Sequence, residues 1–135
     1  MDDRSHLLLH IRPQIANTTT TLASCQDEQF QNLTLRPILK LQNDLLLAVL
    51  KNYIKKHKNR FFELPLEKRF DYIENAIQKD IKLRNSIKGM ILGQFTVEEY
   101  ASYIQNSSAL NKRIMGMAIT RLKDQIQLFE EVISV

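Results

Sequence analysis

Two pairs of side chains have the types and spacing that could support chemistry. His6 and His10 are four residues apart, a spacing that lets two imidazoles on one helix face share a metal ion. Glu98 and Glu99 form a pair of carboxylates, but adjacent residues of a helix do not share a face. The histidines lie in a short terminal segment that offers no third ligand. We therefore predict no metal site and no general acid/base pair.

The single cysteine and the glycines do not complete a reactive motif. The neighbours of Cys25 supply neither the base nor the positive charge that would activate its thiol. No predicted strand precedes Gly89 and Gly93 and no Lys-Ser/Thr follows them, which excludes a phosphate-binding loop. The chain also lacks Gly-x-Ser-x-Gly, His-Glu-x-x-His and the dinucleotide fingerprint. The sequence thus predicts a protein that is not an enzyme and has no catalytic residues and no cofactor.

The positive charge is concentrated in one segment. The chain has a net charge of +4, and residues 36–60 contain seven basic side chains against the single carboxylate of Asp44. Cations at the end of a helix complement its macrodipole, which is one interpretation of this segment. The alternative is a surface that binds nucleic acid or an acidic protein, with Tyr53, Phe61 and Phe62 as stacking partners. The candidate contact residues are Lys51, Lys55, Lys56, Lys58 and Arg60.

Composition and periodicity predict an all-α fold. The chain has 135 residues, enough for one domain, and contains only three glycines and three prolines. Residues 26–58 form the longest helical candidate, with an interruption expected near Pro37. We predict a single-domain helical bundle of about five or six helices around this long central helix, spanning residues 26–135. Residues 1–25 are expected to form a short helix and, at 17–24, a mobile arm.

Residues 80–100 carry the clearest local signals. Asp80 is placed to cap the helix that follows it, and Thr96 with Glu99 forms a capping box. Phe95 and Tyr100 occupy the two positions of a hydrophobic staple around that box. The short helix after Thr96 is expected to bury its apolar side chains, which are Val97, Tyr100, Ala101 and Ile104.

A run of small residues predicts a close crossing of two helices. Ser86, Gly89 and Gly93 share one helix face, and Gly116 near the start of the last helix could meet it. A glycine inside a helix costs about 1 kcal/mol relative to alanine, so these glycines require a structural reason. We expect Gly93 to end its helix as a left-handed C-cap.

Two apolar features predict self-association. Leu47 is the one apolar residue on an otherwise polar line of the central helix, where it would contact another subunit. The last helix carries a heptad-like seam, typical of a helical bundle or of an interface between two helices. The seam residues are Met115, Ile119, Leu122, Ile126, Phe129 and Ile133. The favoured function is therefore a non-catalytic helical interaction protein that forms a homodimer or binds another protein.

Nucleic-acid binding is the alternative function. Residues 96–121 resemble a helix-turn-helix unit: a capped short helix, a three-residue turn and a second helix. The turn contains Gln105 and Asn106 where such units usually have glycine. If the unit entered a groove, the contacting residues would be Ser108, Asn111, Lys112 and Arg113.

Two segments, LRPILKLQNDLLL and LRNSIKGMILGQFTVEEY, are similar to stretches of small all-helical bacterial proteins of uncharacterised function. The resemblance spans residues 29–128, and some of those proteins carry the label glyoxalase. A metal-dependent glyoxalase of the βαβββ type needs strands and a ligand set that this sequence does not offer. The resemblance implies only a bacterial, cytoplasmic origin. A single cysteine suits a reducing cytoplasm, and the apolar run Leu7–Leu9 is too short to enter a membrane.

Overall fold

The described parts of the chain are mainly helical, as its composition predicts. The computed structural model describes residues 2–15 and 25–129, and these ranges contain no β-strand. A π-helical turn, Gln31–Leu35, joins α2 to α3, and 3-10 turns occupy Arg60–Glu63 and Ile126–Phe129. The helices are α1 (Asp3–Ile11), α2 (Gln26–Phe30), α3 (Arg36–Leu41), α4 (Asn43–Lys56), α5 (Leu66–Lys79), α6 (Ile81–Leu92), α7 (Val97–Tyr103) and α8 (Ser107–Asp124). The all-α, single-domain prediction is confirmed.

The predicted central helix is divided into shorter elements. The interruption expected near Pro37 takes the form of the π-helical turn, after which Pro37 lies in the first turn of α3. Proline lacks an amide and clashes with a preceding helical turn, whereas the first turn of a helix tolerates it. A second break at Gln42, where ψ is 3°, separates α3 from α4 and was not expected.

The core lies between α3, α4, α5, α6 and α8, with α5 contacting both α6 and α8. Each of these helices contributes a stripe of aliphatic side chains, and burying them drives the fold. Phe61, Phe95 and Phe129 close the core from the connecting segments. The residues with no more than 1% of their surface exposed include Leu35, Ile38, Leu39, Leu46, Leu50, Ile54, Phe61, Ile73, Ile77, Ile87, Ile91, Ile114, Leu122 and Phe129.

The prediction that Leu47 lies on the outer surface of α4 is wrong. Leu47 is only 7% exposed and belongs to the core. Asp44 and Lys51 are exposed, but the residue between them on the outer line is Ala48, one position further along the helix. One residue of an α-helix corresponds to a rotation of about 100°, which carries Leu47 to the inner face.

The seam of the last helix also packs inside the molecule. Met115, Ile119, Leu122 and Phe129 are all buried in the chain's own core, while Ile133 lies outside the described residues. The helix predicted to continue through the seam ends at Asp124. Ile126 is half-buried against the same core, so the described part of the seam packs as in a helical bundle.

The predicted close crossing at the glycines is wrong. Ser86, Gly89, Gly93 and Gly116 are all exposed, although α6 and α8 contact each other elsewhere. A Cβ atom added at Gly89 or Gly116 would meet nothing within 4 Å. Gly93 ends α6 with a φ of −61°, which is not left-handed. These small residues therefore lie on exposed helix surface and do not mark a close contact between two helices.

The buried face of α7 differs from the prediction. Val97, Tyr100 and Ile104 are 62%, 50% and 52% exposed, and Ala101 is exposed as well. The buried residue is Tyr103, whose ring packs edge-on against Phe95 with 5.5 Å between centroids. Phe95 thus contacts the end of α7, and the expected staple with Tyr100 is replaced by this contact.

The capping box at the start of α7 is present and extends into a larger polar network. Thr96 Oγ1 accepts a hydrogen bond from the Glu99 amide at 3.1 Å, and Glu99 Oε1 accepts one from the Thr96 amide at 2.9 Å. Both carboxylate oxygens of Glu99 also accept from the Arg12 guanidinium, at 2.6 and 3.0 Å. Thr34 of the π-helical turn donates to Oε2 at 3.2 Å. One carboxylate therefore connects α1, the π-helical turn and α7.

Two arginines attach α1 to the bundle. Arg4 donates to the carbonyl oxygens of Phe95 and Gly93 at 2.8 and 2.9 Å, and Arg12 donates to that of Gln94 at 2.8 Å. The boundary predicted at residue 25 therefore does not separate α1 from the bundle. The mobile arm predicted at 17–24 lies outside the described residues.

The Glu99 network predicts a stability that depends on pH. Burial raises the pKa of Glu99, but the Arg12 guanidinium, the Thr96 amide and the Thr34 hydroxyl together hold that pKa below its ordinary value of 4.5. A carboxyl whose pKa is lower in the folded state stabilises the protein above its unfolded pKa. This contribution is lost as the pH falls through the folded pKa.

We expect Glu99→Gln to lower the free energy of unfolding at pH 7 by about 1–3 kcal/mol, because Arg12 loses its charged partner. The difference should shrink as the pH falls below 4.5, where Glu99 becomes protonated. Urea unfolding at several pH values measures both effects. Glu98→Gln is the matched control, since Glu98 is adjacent but exposed, and should cost about 0.5 kcal/mol or less. Equal losses in the two variants would contradict the role of the network.

Candidate functional site

The five basic residues predicted as a contact surface form one exposed group at the end of α4, here called the basic tip. Its members are Lys51, Lys55, Lys56, Lys58 and Arg60, all of them exposed. The ion pairs between described residues join Arg12 to Glu99 and Lys123 to Glu74, so none of them involves the basic tip. Its positive charges therefore face solvent without a paired carboxylate.

The backbone at the basic tip closes the helix without help from the lysines. The Asn59 amide donates to the Ile54 carbonyl at 3.0 Å, and the Lys58 amide donates to the Lys55 carbonyl at 3.2 Å. The His57 amide reaches the Tyr53 carbonyl at 3.1 Å. These bonds satisfy carbonyls that lack partners at a helix end. The lysine ammonium groups are therefore not needed to satisfy these carbonyls, and their charges complement the helix macrodipole from the solvent side.

Two residues of the turn that follows α4 have unusual backbone angles. Lys58 and Asn59 have φ values of 62° and 56°, in the left-handed region. Asparagine tolerates this region, but for lysine it costs about 1–2 kcal/mol. Strain of this kind persists only where the surrounding structure enforces it, and it is concentrated at functional sites.

An aromatic cluster supplies that surrounding structure. Phe61 is fully buried and packs against Phe62, Tyr72 and Phe129 at centroid distances of 5.4, 5.4 and 6.1 Å. The Arg69 guanidinium lies 5.2 Å from the centre of the Phe61 ring and donates to the Leu64 and Phe62 carbonyls at 2.9 and 3.0 Å. Phe61 is thus a support of the turn, and its predicted role as a stacking partner for bases is wrong.

A cleft of about 390 Å³ lies at the basic tip. The exposed His57 ring stacks on Tyr53 with 4.0 Å between centroids. The Tyr72 hydroxyl is buried and has no hydrogen-bond partner among the described residues. A buried hydroxyl without a partner is costly to the folded state. The lining residues are Tyr53, Lys56, His57, Lys58, Arg60 and Tyr72.

Two tyrosines and one aspartate set the electrostatics beneath this cleft. Burial raises the pKa of Tyr53 to about 12, and the neighbouring Asp80 charge and its hydrogen bond to Tyr53 act in the same direction. Burial also raises the pKa of Tyr72. Hydrogen bonding to the Leu83 amide lowers the pKa of Asp80, and the Tyr53 hydroxyl adds to that effect. Both phenols are therefore neutral at physiological pH and can act as hydrogen-bond donors.

The helix-turn-helix resemblance is present only in outline. α7 and α8 follow each other across a short turn, as predicted. Asn111 accepts a hydrogen bond from the Tyr103 hydroxyl, and Arg113 donates to Gln31 at 2.8 Å. Two of the four predicted contact residues are thus bonded within the molecule, whereas Ser108 and Lys112 are exposed. This arrangement argues against groove recognition by the start of α8.

A second cleft, between the π-helical turn, α3 and α8, was not predicted from the sequence. It measures about 520 Å³ and is called the α3–α8 cleft below. Two guanidinium groups, those of Arg36 and Arg121, line it from opposite helices. No pattern of spacing could reveal this pair, because the two arginines are distant in the sequence. Its lining residues are Gln31, Arg36, Leu39, Gly116, Met117, Thr120, Arg121, Asp124 and Gln125.

The remaining candidate residues do not assemble into a site. His6 and His10 are both exposed on α1, and Cys25 is exposed at the start of α2. Within residues 2–15 and 25–129, no group of three or more His, Cys, Asp or Glu residues is close enough to hold a metal ion. No helix in these ranges is both long and apolar enough to cross a membrane.

Comparison with protein-family models, with curated proteins and with solved structures finds no match for this chain.

The left-handed turn leads to a stability prediction. We expect Lys58→Gly to be more stable than Lys58→Gln by about 0.5–1 kcal/mol, because glycine adopts positive φ without a Cβ clash. Both substitutions remove one positive charge, so their difference isolates the backbone term. Thermal and urea unfolding measure it. If the glutamine variant were the more stable of the two, the turn would not carry this strain.

Proposed function

We propose that this protein is a non-catalytic binding protein whose basic tip binds single-stranded nucleic acid. The observation that carries the proposal is the set of five exposed cations without ion-pair partners among the described residues, grouped around a cleft. Phosphate groups neutralised by lysine and arginine release counterions, which supplies most of the affinity of such surfaces.

The form of the basic tip favours a flexible strand over a duplex. Its cations lie at one helix end and in the following turn, whereas proteins that recognise duplex DNA commonly insert a helix into a groove. The exposed His57 ring, which stacks on Tyr53, adds an aromatic surface beside the charges. Backbone phosphates together with stacking surfaces are the usual means of binding single strands.

Fluorescence anisotropy with a labelled single-stranded RNA of about 20 nucleotides tests the proposal. The triple variant Lys56→Gln, Lys58→Gln, Arg60→Gln should bind at least about tenfold more weakly at low salt. The logarithm of the association constant falls with the logarithm of the salt concentration, and the triple variant should make this slope about two units less steep, because three phosphate contacts are lost. The matched control is Lys82→Gln, Arg84→Gln, Lys88→Gln on α6, which removes the same charge elsewhere.

Three outcomes would overturn this function. The first is an absence of binding by the unmodified protein at low salt, and the second is equal weakening of binding by the two triple variants. The third is preferential binding of duplex DNA that is lost on Lys112→Gln and retained in the basic tip variant, since that would favour the helix-turn-helix unit. Circular dichroism of each variant confirms that the helices are intact.

Self-association stays a prediction. Of the features that motivated it, Leu47 and the seam residues Met115, Ile119, Leu122 and Phe129 are buried in the core of the chain. Among the described residues the exposed large apolar side chains include Val97, Tyr100 and Ile104 of α7, and single exposed residues of this kind are common on monomers. Light scattering at tens of micromolar protein measures the mass directly, and a monomeric mass would remove the homodimer from consideration.

A further inference from the structure

We propose that the α3–α8 cleft binds a small organic anion, with its carboxylate or phosphate group held between Arg36 and Arg121 and its apolar part against Leu39 and Met117. This site is separate from the basic tip. Asn43, beside the α3–α8 cleft, begins α4, and Lys56, in the basic tip, ends it. A helix of 14 residues spans about 21 Å.

The charges in the cleft call for an anion. Arg36 and Arg121 face the same space, and neither takes part in the ion pairs found between described residues. The hydrogen bond from Arg121 to Asn43 Oδ1 is long, at 3.5 Å. Burial lowers the pKa of Arg121, the nearby Arg36 charge lowers it further, and Asp124 acts in the opposite direction. A guanidinium group can bind the oxygens of a carboxylate or phosphate group through two parallel hydrogen bonds.

The shape of the cleft suits a small molecule. Its volume of about 520 Å³ lies within the range of small-ligand sites. Gly116 leaves part of the cleft open, since a Cβ atom there would meet nothing within 4 Å. Leu39 is buried and Met117 half-buried, which provides an apolar wall, while the Thr120 hydroxyl adds a polar group. A charged end and an apolar wall favour a ligand with both characters.

Two features hold the site in place before a ligand arrives. Asn43 and Gln125 exchange side-chain hydrogen bonds of 2.8 and 2.7 Å, and Gln125 also donates to the Arg121 carbonyl at 3.0 Å. The π-helical turn lies directly before Arg36 and contributes Gln31 to the cleft. π-helical turns occur frequently at functional sites.

The test is a titration of the full-length ¹⁵N-labelled protein followed by two-dimensional NMR. The probes are 3-phenylpropanoate, phenyl phosphate and the neutral 3-phenylpropanamide. We expect saturable shifts of the Gly116 and Thr120 amides with one or both anions, and none with the neutral amide. The preferred anion identifies the head group as carboxylate or phosphate. Gly89, an exposed helical glycine on α6, serves as the internal reference.

Substitutions separate binding from folding. Arg36→Gln and Arg121→Gln should each weaken binding at least about tenfold, since each removes a charge-assisted hydrogen bond. Gly116→Leu should abolish binding by filling the cleft and should raise the melting temperature, because leucine favours the helix and has room there. Gly89→Leu is the matched control, which should gain stability in the same way and bind normally.

Four results would overturn the inference: shifts that do not saturate, equal binding of the neutral amide, unchanged binding by Gly116→Leu, or loss of binding in the basic tip triple variant. The last result would place the anion at the basic tip. If the basic tip failed to bind RNA while the α3–α8 cleft still bound an anion, the proposed function would fall and this inference would stand.

Discussion

A single partly buried carboxylate joins parts of this molecule that are distant in sequence. Glu99 accepts hydrogen bonds from Arg12 at the end of α1, from Thr34 of the π-helical turn and from Thr96 of the α6–α7 connection. The charged side chains of the Arg12–Glu99 pair are only 7% and 17% exposed. A charge in such a position is tolerated because its partners are charged or fully hydrogen-bonded. The helical core supplies most of the burial, and the Glu99 network determines where α1 and α7 lie on it.

The surface shows the opposite arrangement, with charges left unpaired. At the end of α4 the backbone amides satisfy the helix carbonyls, so the lysines remain available to solvent and to partners. The turn that presents them is strained at Lys58 and is supported by the Phe61 cluster. Proteins commonly combine a rigid apolar support with an energetically unfavourable functional surface. The Arg36–Arg121 pair at the other end of α4 follows the same pattern.

The sequence predicts the fold class and those features that depend on near neighbours. Asp80 and the Thr96–Glu99 box bond across three residues, so their roles follow from spacing alone. The location of the basic tip was also predictable, since its residues are close together in the chain. The outer face predicted for Leu47 was wrong because an error of one residue along α4 rotates a side chain by about 100° around the helix. Glu99 contacts Arg12, and Arg36 lines the same cleft as Arg121. Both arrangements depend on tertiary packing between segments more than 80 residues apart, which local periodicity does not predict.

The π-helical turn has a consequence for how this chain tolerates insertions and deletions. A π turn contains about one more residue than an α turn, so losing one residue within Gln31–Leu35 could restore a regular α-helix. The segments on either side of the deletion would then keep nearly the same rotation about the helix axis, because the π turn holds its extra residue within a single turn. Losing one residue from a regular α-helix instead rotates one flank by about 100°. This turn should therefore tolerate the loss of one residue better than the α-helices do, provided that Thr34, which reaches Glu99, and Gln31, which reaches the α3–α8 cleft, are retained.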